Sequence, residues 1–323
     1  MLNDRNLIIC TTPLQMLIAN QIVKKNKNSN FDFLLIALDS NSKYDYYFSK
    51  LVSNENVVEW SIYNYSQSKS SAQIFIDFIG FICFFNKSIY KNKEYNSIYF
   101  ASINSRICQY FVSRFYKSMI KTFDDGLANI LTDSNYFVDD KPKVFNSFVW
   151  RVLGVNIFSE EIREKSYKHY TIYKGVDNIC PVVEYIDIYS DKKSSIILKN
   201  EKIVKIFLGQ PLIDLDKKFN EKYISNILTK YGIDFYFPHP RERYDLLDVE
   251  IIRTHLIFED YIREFILNSN VSKVELYTFC SSAAFNVSGL EQIEVKFIYD
   301  PIFKNRFPQI YNLVELFNFE VIQ

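Results

Sequence analysis

Five short polar stretches each follow an apolar, strand-like run. They are Thr11-Thr12-Pro13-Leu14-Gln15, Asp124-Asp125-Gly126, Gly209-Gln210-Pro211 with Asp214, Pro238-His239-Pro240-Arg241, and Ser281-Ser282, just beyond Thr278. In open parallel α/β sheets ligands bind outside the carboxyl ends of strands, so polar residues at these exits carry the most functional weight. His239 stands between two prolines, which restrict the backbone and hold the ring in one place. An imidazole of ordinary pKa ~6.5 can be a cation beside a phosphate or give a proton to a departing phosphate oxygen. Arg241 adds a fixed positive charge. Ser281 and Ser282 open a helix and so offer hydroxyls and backbone N–H groups to an anion, although a plain N-cap has the same sequence form. Asp124 and Asp125 offer a general base or, with Gly126, a tight turn. Asp214-Leu215-Asp216 has the form of a D-x-D metal site, but that tripeptide is common by chance. Asp214 reads better as a base, and Asp216 as its alternative or as a helix-start residue.

Strands and helices alternate around these residues. The pattern predicts strands over 7–11, 31–38, 57–63, 97–101 and 119–123, with helices over 13–25, 44–52, 70–85 and 106–116 between them. Regularity fades over 141–200, apart from an isolated strand over 170–173. It returns with strands over 203–208, 235–237, 273–279 and 296–299 and helices over 217–231, 257–268, from 281, and over 308–317. Alternation of this kind indicates parallel βαβ units. The expected organisation is a domain over 1–140, a connecting region with inserted elements over 141–200, and a domain over 201–323, with a cleft between the two domains.

Composition excludes several function classes. The chain has 323 residues with 38 Lys and Arg against 38 Asp and Glu, whereas a general nucleic-acid binder carries a basic excess. Its 7 glycines form neither a dinucleotide fingerprint nor a P-loop. Three scattered histidines exclude a histidine-rich metal centre, and His169 and His255 lack the strand-exit setting of His239. Five cysteines without a C-x-x-C pair read as buried, reduced thiols of a cytoplasmic protein. No signal peptide is expected at the start, and the longest apolar stretch, 74–85, is too short to span a bilayer. That stretch, followed by Lys87, Lys91 and Lys93, reads either as a core helix or as one that lies on an anionic membrane surface.

Six segments in order resemble one family. They are Leu7-Ile8-Ile9-Cys10-Thr11-Thr12-Pro13-Leu14-Gln15-Met16, Lys43-Tyr44-Asp45-Tyr46-Tyr47-Phe48, Lys121-Thr122-Phe123-Asp124-Asp125-Gly126, His169-Tyr170-Thr171-Ile172-Tyr173-Lys174-Gly175, Pro238-His239-Pro240-Arg241 and Tyr277-Thr278-Phe279-Cys280-Ser281-Ser282-Ala283-Ala284. Together they are similar to the bacterial lipooligosaccharide sialyltransferases of glycosyltransferase family 52, over nearly the whole chain. The resemblance implies an α/β GT-B architecture of two Rossmann-like domains facing across a cleft. It also implies transfer of sialic acid from CMP-sialic acid to a terminal galactose, with inversion and without a metal. It assigns the donor to the C-terminal domain, through Gly209, Gln210, Pro238, Arg241, Thr278, Ser281 and Ser282, and the acceptor sugar to Thr11, Thr12 and Gln15. His239 matches the acid or phosphate partner. The family's base follows the Gly-x-Pro exit directly, where this chain has Leu212 and Ile213, so Asp214 is the first candidate and Asp124 or Asp125, in a signature other bacterial sialyltransferases use, the second. The resemblance further implies a lipid-linked acceptor, reached by peripheral contact with the inner membrane in the absence of the anchor some relatives carry, and it allows a homodimer. The family's hexose-transferring members keep a hexosyltransferase open, and the displaced acid keeps open a non-catalytic nucleotide- or glycan-binding protein.

Overall fold

Runs of Ile, Leu, Val and Phe too apolar to face water on either side form the centres of two parallel sheets, as buried parallel strands require. The computed structural model describes residues 5–65, 70–138, 144–189, 202–242, 244–269 and 271–323. The chain divides into two units, Met1–Asp191 and Lys192–Gln323, each built on one of the sheets.

The first unit runs β1 (Arg5–Cys10), α1 (Pro13–Lys25), β2 (Asn30–Ala37), α2 (Ser42–Val52), β3 (Val57–Asn64), α3 (Ser71–Lys87), β4 (Ser97–Phe100), α4 (Arg106–Arg114), β5 (Met119–Phe123), α5 (Val144–Val152), α6 (Ser159–Lys165), β6 (Ser166–Thr171) and β7 (Val183–Tyr185). Its strands lie in the order β3-β2-β1-β4-β5-β6-β7, all parallel. The second unit runs β8 (Ile203–Leu208), a 3₁₀ turn (Leu212–Asp214), α7 (Glu221–Tyr231), β9 (Phe235–Phe237), β10 (Glu250–Ile251), α8 (Phe258–Asn268), β11 (Lys273–Thr278), α9 (Ser282–Asn286), β12 (Ile293–Ile298), α10 (Pro301–Arg306), α11 (Pro308–Leu316) and β13 (Glu320–Ile322). Its order, β10-β9-β8-β11-β12-β13, repeats the first six places of the other sheet, again all parallel. Both are the Rossmann order, whose direction reverses between the first and fourth strands.

Two parts differ from the sequence expectation. The described residues of the 141–200 stretch do not form a separate connector, because β6 and β7 extend the first sheet and the first unit runs to Asp191. Their sequence obscured this: β6 buries Ser166, His169, Tyr170 and Thr171 but not Tyr167 or Lys168, and no residue of β7 is buried. The 74–85 helix divides its surface. Phe78, Phe81 and Phe85 enter the core, while Ile76 and Ile79 are 57% and 41% exposed and Cys83 is exposed as well. The other cysteines are buried or half-buried, and all five are free thiols.

The amino ends of the first sheet meet at a buried carboxylate. Asp32, fully buried in β2, accepts from Arg5 Nε at 3.0 Å and Arg5 Nη2 at 2.7 Å, from Lys93 Nζ at 2.8 Å and from the Tyr95 hydroxyl at 2.8 Å. Those partners come from β1 and from the loop into β4, so one acid ties three strand ends together. Replacing it leaves two cations facing each other with, among the described residues, Glu59, which both also contact, to balance them. Asp32→Ala is therefore expected to destabilise the first unit by about 3 kcal/mol. Both tryptophans, Trp60 and Trp150, lie in that unit, so urea titration followed by tryptophan fluorescence reads it directly. An unchanged midpoint would show that the cluster contributes nothing.

Candidate active site

The carboxyl end of each sheet carries a polar cluster at its strand-order reversal. In the first unit, Thr12 caps α1, its hydroxyl accepting from the Gln15 backbone N–H at 3.3 Å, with Pro13 in the first turn. That cap turns Gln15 inward, fully buried. Its Oε1 accepts from Thr11 N at 2.7 Å, and its amide donates to Ser102 Oγ at 3.0 Å and to Asp125 Oδ1 at 2.7 Å. Asp125 Oδ2 accepts from Ser102 Oγ at 3.3 Å and from the Tyr136 hydroxyl at 2.5 Å. Burial and the Asp125 charge push the Tyr136 phenol well above its ordinary pKa, so it stays a donor. Gly126, at φ 70°, makes the turn that follows. Of the residues assigned to the acceptor sugar, Thr12 is thus occupied as a helix cap, and Thr11 and Gln15 are organised around Asp125. Ser102 and Tyr136 went unnoticed in the sequence because an isolated Ser or Tyr carries no pattern.

Asp124 differs from its neighbour. Its side chain is fully buried, and each oxygen accepts from two donors: Oδ1 from His169 Nε2 at 2.8 Å and Asn178 Nδ2 at 3.2 Å, Oδ2 from Thr171 Oγ1 at 2.8 Å and Ile172 N at 2.6 Å. Four donors fill a carboxylate's acceptor positions, leaving none for a substrate hydroxyl. The expectation of a base at Asp124 is corrected on this ground, and its role is to tie β5 to β6 and the loop after it. His169, whose Nδ1 lies 2.8 Å from Thr122 Oγ1, is the structural histidine the sequence suggested.

In the second unit the exits of β8, β9 and β11 are joined. Gly209 N donates to Phe237 O at 2.8 Å, linking β8 to the strand that leads to His239. Gln210 Oε1 accepts from Cys280 N at 3.0 Å and Thr278 Oγ1 at 3.3 Å, and Gln210 Nε2 donates to Cys280 Sγ at 3.1 Å. His239 Nδ1 accepts from Arg241 N at 3.1 Å, and His239 N donates to Glu242 Oε2 at 2.8 Å. Pro238 is half-buried, whereas the Arg241 side chain is exposed. Ser281 caps α9, a helix of five residues, without a side-chain cap bond, and its N–H is already taken by Thr278 Oγ1 at 3.0 Å. Ser282 begins the helix on an exposed face. After Pro211 the 3₁₀ turn buries Leu212 in the core and sets Asp214 on the exposed side. Asp216 Oδ1 accepts from Lys218 N at 2.8 Å and so closes the next turn.

The residue missed here is Glu242. Its Oε1 accepts from the Tyr236 hydroxyl, its Oε2 from His239 N, and the Gln210 backbone also donates to it. Burial outweighs these donors and pushes its carboxyl up to about 7. In a charged Arg241-Glu242 loop nothing marks this acid as buried.

Two Rossmann-ordered parallel sheets in one chain are the hallmark of the GT-B fold. The crystallised glycotransferase of kitacinnamycin shares that fold, with a TM-score of 0.54 over 99% of this chain and 86% of its own at 8% identity. Residues 28–300 match glycosyltransferase family 52, and the chain belongs to that family. It is 32% identical over 282 residues to the CMP-N-acetylneuraminate:beta-galactoside alpha-2,3-sialyltransferase of Pasteurella multocida, covering 87% of each chain. It is 31% identical over 296 residues to the N-acetyllactosaminide alpha-2,3-sialyltransferase of Haemophilus influenzae, covering 91% of each.

The Asp124–His169 pair gives the first unit a pH dependence. Burial opposes the imidazolium, but the hydrogen bond and charge of Asp124, helped by Cys180, prevail and raise the His169 pKa to about 9. The folded protein thus holds this proton to higher pH than the unfolded chain, whose histidine titrates near ~6.5. The pair's contribution is full below that value and is lost as pH rises through about 9. Melting followed by tryptophan fluorescence between pH 6 and pH 9.5 is expected to show this fall in the native protein. Asp124→Asn is expected to be less stable at pH 7 and to lack the fall; an identical slope would assign it to other groups.

Proposed function

We propose that this protein is an inverting, metal-independent sialyltransferase that moves sialic acid from CMP-sialic acid to a terminal galactose. The observation that carries this reading is the tying together of three adjacent strand exits, Gln210 to Thr278 and Cys280 and Gly209 to the strand that leads to His239, in a chain whose family relatives are named alpha-2,3-sialyltransferases. Departure of CMP leaves the electron pair of the breaking C–O bond on a phosphate oxygen, while positive charge grows on the sugar ring. Donors set at the strand exits suit the phosphate: the His239 ring, the Arg241 guanidinium and the hydroxyls of Ser281 and Ser282. Asp214 takes the proton of the galactose hydroxyl as its oxygen forms the new bond on the opposite face, so configuration inverts. A D-x-D ion is not needed in this scheme, and Asp216 is already engaged with the backbone of Lys218. Asp125 is the second candidate for the base. Its support is specific: three donors hold its carboxylate at the exit of β5, which leaves one acceptor position for a hydroxyl.

Incubation with CMP-sialic acid and a panel of galactosides, read by mass spectrometry in the presence of a strong chelator, is expected to give a sialylated product. Asp214→Asn is expected to lower kcat by ~10²-fold or more. Full activity in that variant together with its loss in Asp125→Asn would move the base to Asp125. Activity lost to the chelator and restored by Mn²⁺ would make the reaction metal-dependent. CMP binding without turnover would favour a silent binding protein, and turnover only with a hexose nucleotide would favour a hexosyltransferase.

A lipid-linked acceptor requires approach to a membrane, and among the described residues no helix is long and apolar enough to cross one. The surface we assign to that approach joins α3 and α5, where Trp150 packs on Phe75 and Phe78. Ile76, Phe148 and Val152 stand 57%, 67% and 70% exposed, and Lys87 lies at the end of α3. Lys91, Arg114 and Lys117, with Glu94, line a cavity of about 570 Å³. Exposed apolar side chains in a unit that also carries exposed cations suit the boundary of an anionic bilayer. The protein is expected to co-sediment with vesicles containing phosphatidylglycerol and not with purely zwitterionic ones, and Ile76→Asp with Phe148→Asp to abolish this. Equal binding by that double variant would remove the surface from the reading.

A further inference from the structure

One acid braces the β8 and β9 exits beyond the bond from Gly209 N to Phe237 O. β8 and β9 pair with Leu208 opposite Phe237, so Gly209 and Pro238 leave the sheet side by side. Glu242, three residues beyond His239, folds back over that junction: its N–H donates to His239 O at 2.9 Å, while its carboxylate accepts from His239 N, from the Tyr236 hydroxyl and from the Gln210 backbone. The space it occupies exists because residue 209 has no side chain. A Cβ there would overlap the Glu242 carboxylate and lie 2.7 Å from the Tyr236 hydroxyl. The turn so closed puts Arg241 N within 3.1 Å of His239 Nδ1. A backbone N–H only donates, so Nδ1 must accept and the ring proton sits on Nε2.

We propose that Glu242 is a positioning residue for the transfer reaction: by closing the His239–Glu242 turn against Gly209 and Gln210 it fixes the His239 ring in the Nε2–H tautomer that meets the departing phosphate. This deepens the sialyltransferase reading and rests on it for the identity of the phosphate. Glu242 itself touches no reacting atom. What the turn needs from it is an acceptor of the right length, and a glutamine carbonyl oxygen provides one for the two backbone N–H groups while its amide faces the Tyr236 oxygen.

The test compares Glu242→Gln and Glu242→Ala at pH 8, above the raised range of the native carboxyl, with two readouts. In steady-state transfer from CMP-sialic acid to a galactoside, Glu242→Ala is expected to lose at least ~30-fold in kcat with KM for the donor within ~3-fold, and Glu242→Gln to keep most of the native rate. In histidine-selective ¹⁵N spectra of the protein without substrate, only three rings contribute, and His239→Ala assigns the signal. The native protein and Glu242→Gln are expected to show the His239 Nε2–H tautomer, and Glu242→Ala a mixture. Equal kinetic loss in both variants would overturn the proposal in favour of a role for the charge, and an unaltered His239 signal in Glu242→Ala would overturn it outright. Should Glu242→Ala fail to fold, Gly209→Ala displaces the same carboxylate from the turn and is expected to give the same mixture. The spectra need no turnover, so a protein that transfers no sialic acid yet shows the tautomer change would defeat the functional reading and leave the positioning role standing.

Discussion

Each sheet closes its strand-order reversal with the side-chain amide of one buried glutamine. Connections leave a reversal toward opposite faces, so main-chain N–H groups at the adjoining strand exits lose their ladder partners while still excluded from water, and they must be satisfied otherwise. Gln15 does this in the first unit, accepting from Thr11 N and donating across to Ser102 and Asp125. Gln210 does it in the second, accepting from Cys280 N across the gap to β11. An amide suits the position because it accepts and donates at once and carries no charge to desolvate. Asp125, among the candidate catalytic groups, is held directly by the first of these amides.

The order of elements was legible because buried parallel strands write themselves as apolar runs, and helix starts such as Thr12-Pro13 have their own local chemistry. Helix α1 and strands β5, β8 and β9 fall on the residues expected for them. The two-residue β10, the three-residue β13 and the six-residue α10 escaped notice, since stretches so short cannot display a period. The strand exits were legible for the same reason as the strands. What each exit residue does was not. Asp124 and Asp125 are identical in type and adjacent, yet one is saturated by donors from β6 and the loop after it and the other faces the β4 exit. That difference is a matter of which side of the strand end each side chain leaves from, set by neighbours about 45 residues downstream or over 100 upstream.

Glu242 shows the same limit from the other direction. In sequence it is one more charge in a loop, and its burial is created by an absence, the missing side chain of Gly209 on the neighbouring strand. A pattern read along one segment cannot register a cavity provided by another. The carboxylate at the 3₁₀ turn is the intermediate case: the backbone geometry that buries Leu212 leaves Asp214 exposed, and a short turn of this kind has no period by which sequence could have told the two apart.

The fit between Gly209 and Glu242 also imposes an order on how the two positions can drift. Any side chain at 209 strikes the carboxylate while the acid is in place, whereas the acid can shorten or vanish without any clash at 209. Position 242 is therefore the permissive one and 209 the dependent one. Among descendants of this chain, a residue larger than glycine at 209 should appear only on backgrounds where 242 has already changed and the Tyr236 ring has also given way, and a lineage that acquires it loses the route back to glutamate unless glycine returns first.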